Sequence, residues 1–109
     1  MAEVLGAFEQ AVLLSVWRLG TDAYGRSILR EVQMRLEREV VAGAIYATLD
    51  RLEAKGLLSS KLGPGTPARN GRPRRYYVLE DAGLRALNEA KEAVERIWVG
   101  FEWPLKGRV

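Results

Sequence analysis

LLSSKLGPGTPARNGRPRRYYVL, Leu57–Leu79, decides how the rest of the chain is read. Its two ends, "LLSSKL" (57–62) and "RRYYVL" (74–79), are short, apolar and β-prone, and read as strands. Between them lie Gly63, Pro64, Gly65, Pro67, Gly71 and Pro73. That segment is too long for a tight hairpin turn and predicts a flexible tip. The stretch carries five basic residues, Lys61, Arg69, Arg72, Arg74 and Arg75, and no acidic one. Residues 1–56 and 80–109 each sum to a net charge of −1, so the basic character of the chain sits wholly in this hairpin. A local patch of that kind is the footprint expected for phosphate backbones, the alternative being a solvated loop of chance composition.

Working outward, three helical patterns precede the hairpin. "EVLGAFEQAVLLSVWRL" (3–19) spaces Leu5, Phe8, Val12, Val16 and Leu19 at helical intervals, with Ala11, Leu14 and Trp17 widening the buried face. Gly20 is a natural stop. "TDAYGRSILREVQMRLE" (21–37) predicts a second helix, capped by Thr21 or Asp22 and burying Tyr24, Ile28, Leu29, Val32 and Leu36. Gly25 is costly inside a helix, so its presence predicts close approach of another backbone. "REVV" (38–41) is β-prone and predicts a short strand. "AGAIYATLDRLEAKG" (42–56) predicts a third helix with Ile45, Leu49 and Leu52 inward.

After the hairpin comes one long helical pattern over residues 80–103, with Glu80 and Asp81 suited to its positive N-terminal end. Leu84, Leu87, Lys91, Val94, Trp98 and Phe101 follow at alternating intervals of three and four, a heptad seam interrupted by one lysine. Ala86, Ala90, Ala93 and Ile97 form a second stripe beside it.

Three helices followed by a β-hairpin is the order of a winged helix-turn-helix. The fold class is therefore mainly α with a small β-hairpin. Residues 1–79 form the winged domain, with its wing at 57–79, and residues 80–109 form a C-terminal dimerisation helix and tail. The third helix suits a major groove, and the wing suits phosphates or a minor groove.

The composition narrows the function. At 109 residues the chain has room for one hydrophobic core. Histidine and cysteine are both absent. The common zinc and copper ligands and the common nucleophile–base pairs are therefore missing, which argues against an enzyme and calls for no metal or other cofactor. No 18-residue apolar run is present, so no membrane span is expected, nor does the N-terminus look like a signal peptide. The absence of cysteine fits a cytoplasmic location.

Three motifs bring in a resemblance. "AYGRSIL" (23–29) is similar to an "HGYEI"-type helix start, "AGAIYATLDRLEAKGLL" (42–58) to "PGTVYPALRRLEEEGLV", and "GRPRRYYVLEDAGLRAL" (71–87) to "GPPRRYYRLTEEGRRAL". In this order and spacing they resemble the PadR family of winged-helix transcriptional regulators in its form with a short C-terminus. The chain departs from that pattern in three places. The histidine before the helix-two Tyr-Gly is missing, the proline after the helix-three tyrosine is Ala47, and the usual Thr or Ser is replaced by the run Ala42–Gly43–Ala44.

The expected DNA-facing residues follow. On helix three they are Gly43, Ala44, Tyr46, Ala47, Thr48 and Arg51. On the wing they are Lys61, Arg69, Asn70, Arg72 and Arg74. Arg74 and Arg75 alternate along a strand, so at most one of them faces DNA squarely, and Tyr76 and Tyr77 split likewise. The resemblance implies a phosphate contact for Tyr24. Helix three is poor in the Arg, Asn and Gln side chains that read base edges, so a larger share of readout is expected from DNA shape.

The seam Leu84, Leu87, Lys91, Val94, Trp98 and Phe101, joined by Leu5, Phe8 and Val12 of helix one, is the expected homodimer interface. Trp17, Trp98 and Phe101 are candidates for the walls of a pocket for a small apolar or aromatic effector, which the resemblance permits. The expectation is a dimeric repressor binding double-stranded DNA at a pseudo-palindromic operator. The alternative is a winged-helix module that binds a protein and not specific DNA.

Overall fold

The computed structural model describes residues 4–63 and 69–104. Helix α1 runs Ala7–Leu19, α2 Gly25–Leu36 and α3 Ala42–Ala54. Strands β1, Leu58–Leu62, and β2, Arg75–Leu79, form an antiparallel hairpin, and α4 runs Asp81–Trp98. A single 3-10 turn, Gly20–Asp22, links α1 to α2. Residues 64–68, at the tip of the wing, lie outside the described residues, and with them the expectation of flexibility there.

Each helix presents one apolar stripe to a common centre. Val12, Leu13 and Val16 of α1, Ile28 and Val32 of α2, and Ile45, Leu49 and Leu52 of α3 are buried together with Leu58 and Tyr77 of the hairpin. Leu5 precedes α1 and is also buried there. Removing such side chains from water, at about 25 cal/mol per Å², is what holds three short helices together.

The chain reversals are set by local chemistry. At the end of α3, Gly56 takes φ +78° while its N–H bonds the Glu53 carbonyl and the Leu57 N–H bonds that of Leu52. This pair of bonds is a Schellman motif, and its left-handed residue favours glycine. It aims the chain straight into β1.

Between α2 and α3 the structure corrects the expected strand at 38–41. Val40 and Val41 suit extended backbone, but no second strand is available among the described residues to pair with them. The Val40 N–H instead donates to the side-chain oxygen of Gln33 (3.0 Å), and Val41 caps α3 in an extended conformation. The third position beside the hairpin is taken by Tyr24, which makes an isolated bridge to Tyr76, while the Tyr77 N–H bonds the Ala23 carbonyl at 2.8 Å.

Three helix boundaries also differ from expectation. The first helix begins at Ala7, and the second at Gly25, after the 3-10 turn. The last helix stops at Trp98, where Val99 turns extended and Gly100 takes φ +80°, so Phe101 and Trp103 lie beyond it.

The two stripes of α4 have different fates. Gly83 and Ala90 are buried and Ala86 packs on the core, so the first half of the small-residue stripe faces the domain, joined there by Leu87 of the seam, while Ile97 at its far end is exposed. Gly83 has to be small, because a Cβ there would collide with the Leu57 carbonyl and the Leu79 side chain. Leu84, Val94 and Trp98 stay exposed on the other side.

Candidate nucleic-acid interface

Three elements converge beside the hairpin. Tyr24 stands at the N-terminus of α2, where its N–H donates to Ser27 Oγ (3.0 Å). Its ring meets the Tyr76 ring edge-on, 5.9 Å between centroids. The Arg74 guanidinium lies over the Tyr24 ring at 3.9 Å. The hydroxyl end of Tyr46, on α3, sits against Gly25. The expected close approach at Gly25 is therefore made by a side chain and not by a backbone.

A cleft of about 640 Å³ opens between these elements, and Arg26, Arg69, Arg74 and Arg75 line it with Tyr24, Tyr46, Asp50 and Glu53. Ser60 Oγ donates to Glu53 (2.7 Å) and accepts from Arg75 Nη1 (3.0 Å), which ties β2 through β1 to α3. Arg75 thus serves the join between wing and helix. Arg74, one residue earlier, is held by an aromatic face, and its Nε is buried without a hydrogen-bond partner among the described residues. A guanidinium so stacked keeps its geometry while leaving donors for an incoming anion. Tyr77, buried beneath the cleft, has its hydroxyl pKa raised, first by burial and then by the charges of Asp50 and Glu53.

The expected DNA-facing residues are distributed unevenly. Gly43, Tyr46 and Ala47 are exposed on α3, and Ala44 is half-buried beside them. Thr48 departs from expectation: it is only 2% exposed, and its Oγ1 accepts a hydrogen bond from Arg51 Nη2 (3.3 Å). The wheel position is at the flank of the helix, but Thr48 lies on the Phe8 side, where α1 closes over α3. Arg51 stays exposed on that side, away from the wing.

On the wing, Arg69 and Arg72 donate to loop carbonyls at 3.3–3.4 Å, and both lie toward the tip. Asn70 and Gly71 both take positive φ within a turn closed by the Arg72 N–H to Arg69 carbonyl bond (3.0 Å). Asn-Gly is the pair such a turn selects, so Asn70 has a backbone reason to be there. Lys61 pairs with Tyr76 across the hairpin and shares its face, opposite to that of Ser60. It lines a separate groove with Trp17, Tyr76 and Val78.

Two arginines join the site that the sequence reading does not include. Arg26 is exposed in the first turn of α2 and lines the cleft, and Arg30, one turn later, reaches the Tyr24 hydroxyl at 3.5 Å. Their signal in the sequence is two arginines four residues apart on the polar side of helix two.

The expected dimer residues divide as well. Leu5 and Val12 are buried in the domain's own core and Phe8 packs against it, so the first two have no surface for a partner. Helix one is apolar nearly all round in sequence; in the structure one side is spent on the core. Trp17, expected to be buried, is 62% exposed. It faces α4 across a groove of about 620 Å³ lined also by Leu14, Leu84, Leu87, Lys91 and Val94. Trp98 and Phe101 do not line that groove. They meet edge to face, 5.1 Å between centroids, with Trp103 beyond, so the expected three-residue aromatic pocket is not assembled within one chain. Among the described residues, no helix is long and apolar enough to cross a membrane.

Comparison with known proteins gives a consistent answer. Residues 13–89 match the family described as the Transcriptional regulator PadR-like family. The chain is similar to the transcriptional regulator Rv3488 of Mycobacterium tuberculosis, 43% identical over 76 residues that span 70% of this chain and 66% of that protein. Its fold is similar to that of a PadR-like transcription factor from Bacteroides fragilis, with TM-score 0.66, 29% identity, and 82% and 81% of the two chains covered. It is similar also to a PadR family transcriptional regulator from Eggerthella lenta, with TM-score 0.64, 30% identity, and 82% and 75% covered.

Proposed function

Because this chain belongs to the PadR-like family of transcriptional regulators, we propose that it is a cytoplasmic homodimeric repressor that binds double-stranded DNA at a pseudo-palindromic operator. The observation that carries the reading is the convergence of the α2 N-terminus, the outward face of α3 and the basic wing on one cleft lined by four arginines. In this reading α3 enters the major groove. Arg26, Arg69, Arg72 and Arg74 meet phosphates on either side of it, and each neutralised phosphate releases a counterion.

The exposed side of α4 supports the dimer. Leu84, Val94 and Trp98 line up on one face, with Trp17 across the groove, and a second copy of the chain would cover them. Two copies of α3 related by a two-fold axis then read two equal half-sites. A small apolar or aromatic effector would enter the same groove, with Trp17 as its flat wall, and Trp98 and Phe101 would reach it only from a partner chain.

The test is a mobility-shift titration of the full chain on the DNA upstream of its own gene, at two salt concentrations. Binding that weakens steeply with salt is expected. Absence of any salt-dependent shift overturns the reading.

A further inference from the structure

The outward face of α3 carries a group that the wing and the aromatic stack leave unexplained. With about 100° per residue, Gly43, Ala47 and Ala54 fall within roughly 30° of the direction opposite the buried Ile45, Leu49 and Leu52, and Asp50 falls within roughly 50° of it, on the side that lines the cleft. All four are exposed. Three of them, Gly43, Ala47 and Ala54, have no side chain that can hydrogen-bond a base edge. Asp50 is therefore the polar group of that exposed arc, at its edge beside the basic cleft.

Its surroundings make the charge conspicuous. Asp50 joins neither of the two ion pairs found among the described residues, although Arg69, Arg74 and Arg75 line the same cleft. A bare carboxylate facing a polyanion is repelled almost everywhere along it. The exception is a site that offers a donor. The major-groove base edges offer two donors, the exocyclic amines of cytosine and adenine; adenine's stands beside the N7 acceptor, which repels a carboxylate, so cytosine's is the better partner. The small side chains at 43 and 47 let the helix approach closely enough for a side chain as short as aspartate to reach it. Arg51, the nearest other candidate on α3, is turned toward Thr48 and away from this face.

We propose that Asp50 is a specificity-determining residue that accepts a hydrogen bond from the N4 amine of one cytosine in each half-site. The inference rests on the DNA-binding reading above. On this account Asp50 lowers affinity for all DNA and restores it only where the cytosine stands, so it acts mainly by rejecting wrong sequences.

The experiment is selection of bound duplexes from a randomised pool by the full-length wild type, Asp50→Ala and Asp50→Asn, followed by affinity measurements on the selected duplex and its single-base variants. The wild type is expected to select one cytosine per half-site and to discriminate against its replacement by about tenfold or more. Asp50→Ala should lose that preference and bind unrelated duplex more tightly. Asp50→Asn should move the preference toward adenine, which an amide can hold with two hydrogen bonds. The residue is exposed, so both variants should keep the wild-type thermal midpoint. A purely structural carboxylate would leave base preference unmoved, so identical selected sequences for all three proteins overturn this inference alone. A wild type that binds no duplex overturns the DNA-binding reading and this inference with it.

Discussion

The guanidinium of Arg74 lies 3.9 Å from the centroid of the Tyr24 ring, joining the wing to the first residue before α2. Two of the surfaces expected to touch DNA are thereby fixed relative to each other before any DNA arrives. Lysine would keep the charge but lose the planar group that stacks and can bind a phosphate in fork geometry. Arg74→Lys should therefore bind duplex several-fold more weakly than wild type, and Arg74→Ala more weakly still. Loss of the cation–π interaction should cost about 0.5–2 kcal/mol of stability, measured by urea unfolding. If Arg74→Lys matches wild type in both measurements, the stack has no role beyond charge.

Among the described residues, Arg69 and Arg72 differ from Arg74 in being held by long, exposed bonds to loop carbonyls. Such bonds are surrendered at little cost when a phosphate offers a charged acceptor. The double replacement Arg69→Ala/Arg72→Ala should weaken binding to all duplexes alike. The slope of log K against log salt should fall by about 0.9 for each phosphate that is no longer neutralised. An unchanged slope would place the wing tip off the DNA.

The sequence makes the hairpin legible because two physical signals coincide there. Short apolar, β-prone runs mark its strands, and an acid-free, proline-broken segment marks its tip. Residues 38–41 mislead because Val40 and Val41 have strand propensity, while a strand also needs a neighbour with free N–H and C=O groups, and Gln33 takes the Val40 N–H first. Tyr24 does the bridging, and a one-residue bridge leaves no periodic trace. Thr48 and Trp17 fail for reciprocal reasons: a polar residue at a helix flank is covered by α1, and a large aromatic on an apolar helix is left out of the core. Side-chain type predicts burial only on average, and crossing geometry decides the individual case.

Two glycines sit against neighbours of different stiffness, and their alanine variants should behave differently. A Cβ on Gly83 would strike the Leu57 carbonyl, which is backbone directly before β1 and cannot turn aside. Gly83→Ala should cost about 1–3 kcal/mol or more in unfolding free energy. A Cβ on Gly25 would meet the Tyr46 ring, and that side chain is 47% exposed and has room to swing away. Gly25→Ala should lose less stability but move Tyr46 on the outward face of α3, so its DNA affinity should fall more than its thermal midpoint. Equal stability losses would contradict this difference.

Tyr77 is expected to contribute to the alkaline limit of the fold. Burial, with Asp50 and Glu53 nearby, raises its pKa above the ordinary value of 10.0. The folded state therefore holds the phenol proton more tightly than the unfolded state does. The stability linked to this group is complete below pH 10 and is lost as pH rises from there through the folded-state pKa. Thermal midpoints from pH 8 to 11 should fall at the upper end for wild type and fall less for Tyr77→Phe. Parallel curves for the two proteins would show that another group sets the alkaline limit.

Leu84 and Val94 are 48% and 45% exposed on the side of α4 that faces away from the domain's core, and both border the groove under Trp17. A single chain gains nothing by leaving branched aliphatic side chains there, while a partner helix packed on them would remove both from water. A glutamate at each position has room in the monomer, so the winged domain should fold normally. In the dimer the same two carboxylates would be buried and unpaired, or would face their own symmetry copies, which costs far more than the apolar packing they replace. Leu84→Glu/Val94→Glu should therefore sediment as a monomer at concentrations where wild type is dimeric, with its far-UV circular dichroism unchanged. Its affinity for a full pseudo-palindromic site should drop toward that for one half-site, because the second half-site no longer binds intramolecularly. A double variant that remains dimeric would move the interface off this face of α4.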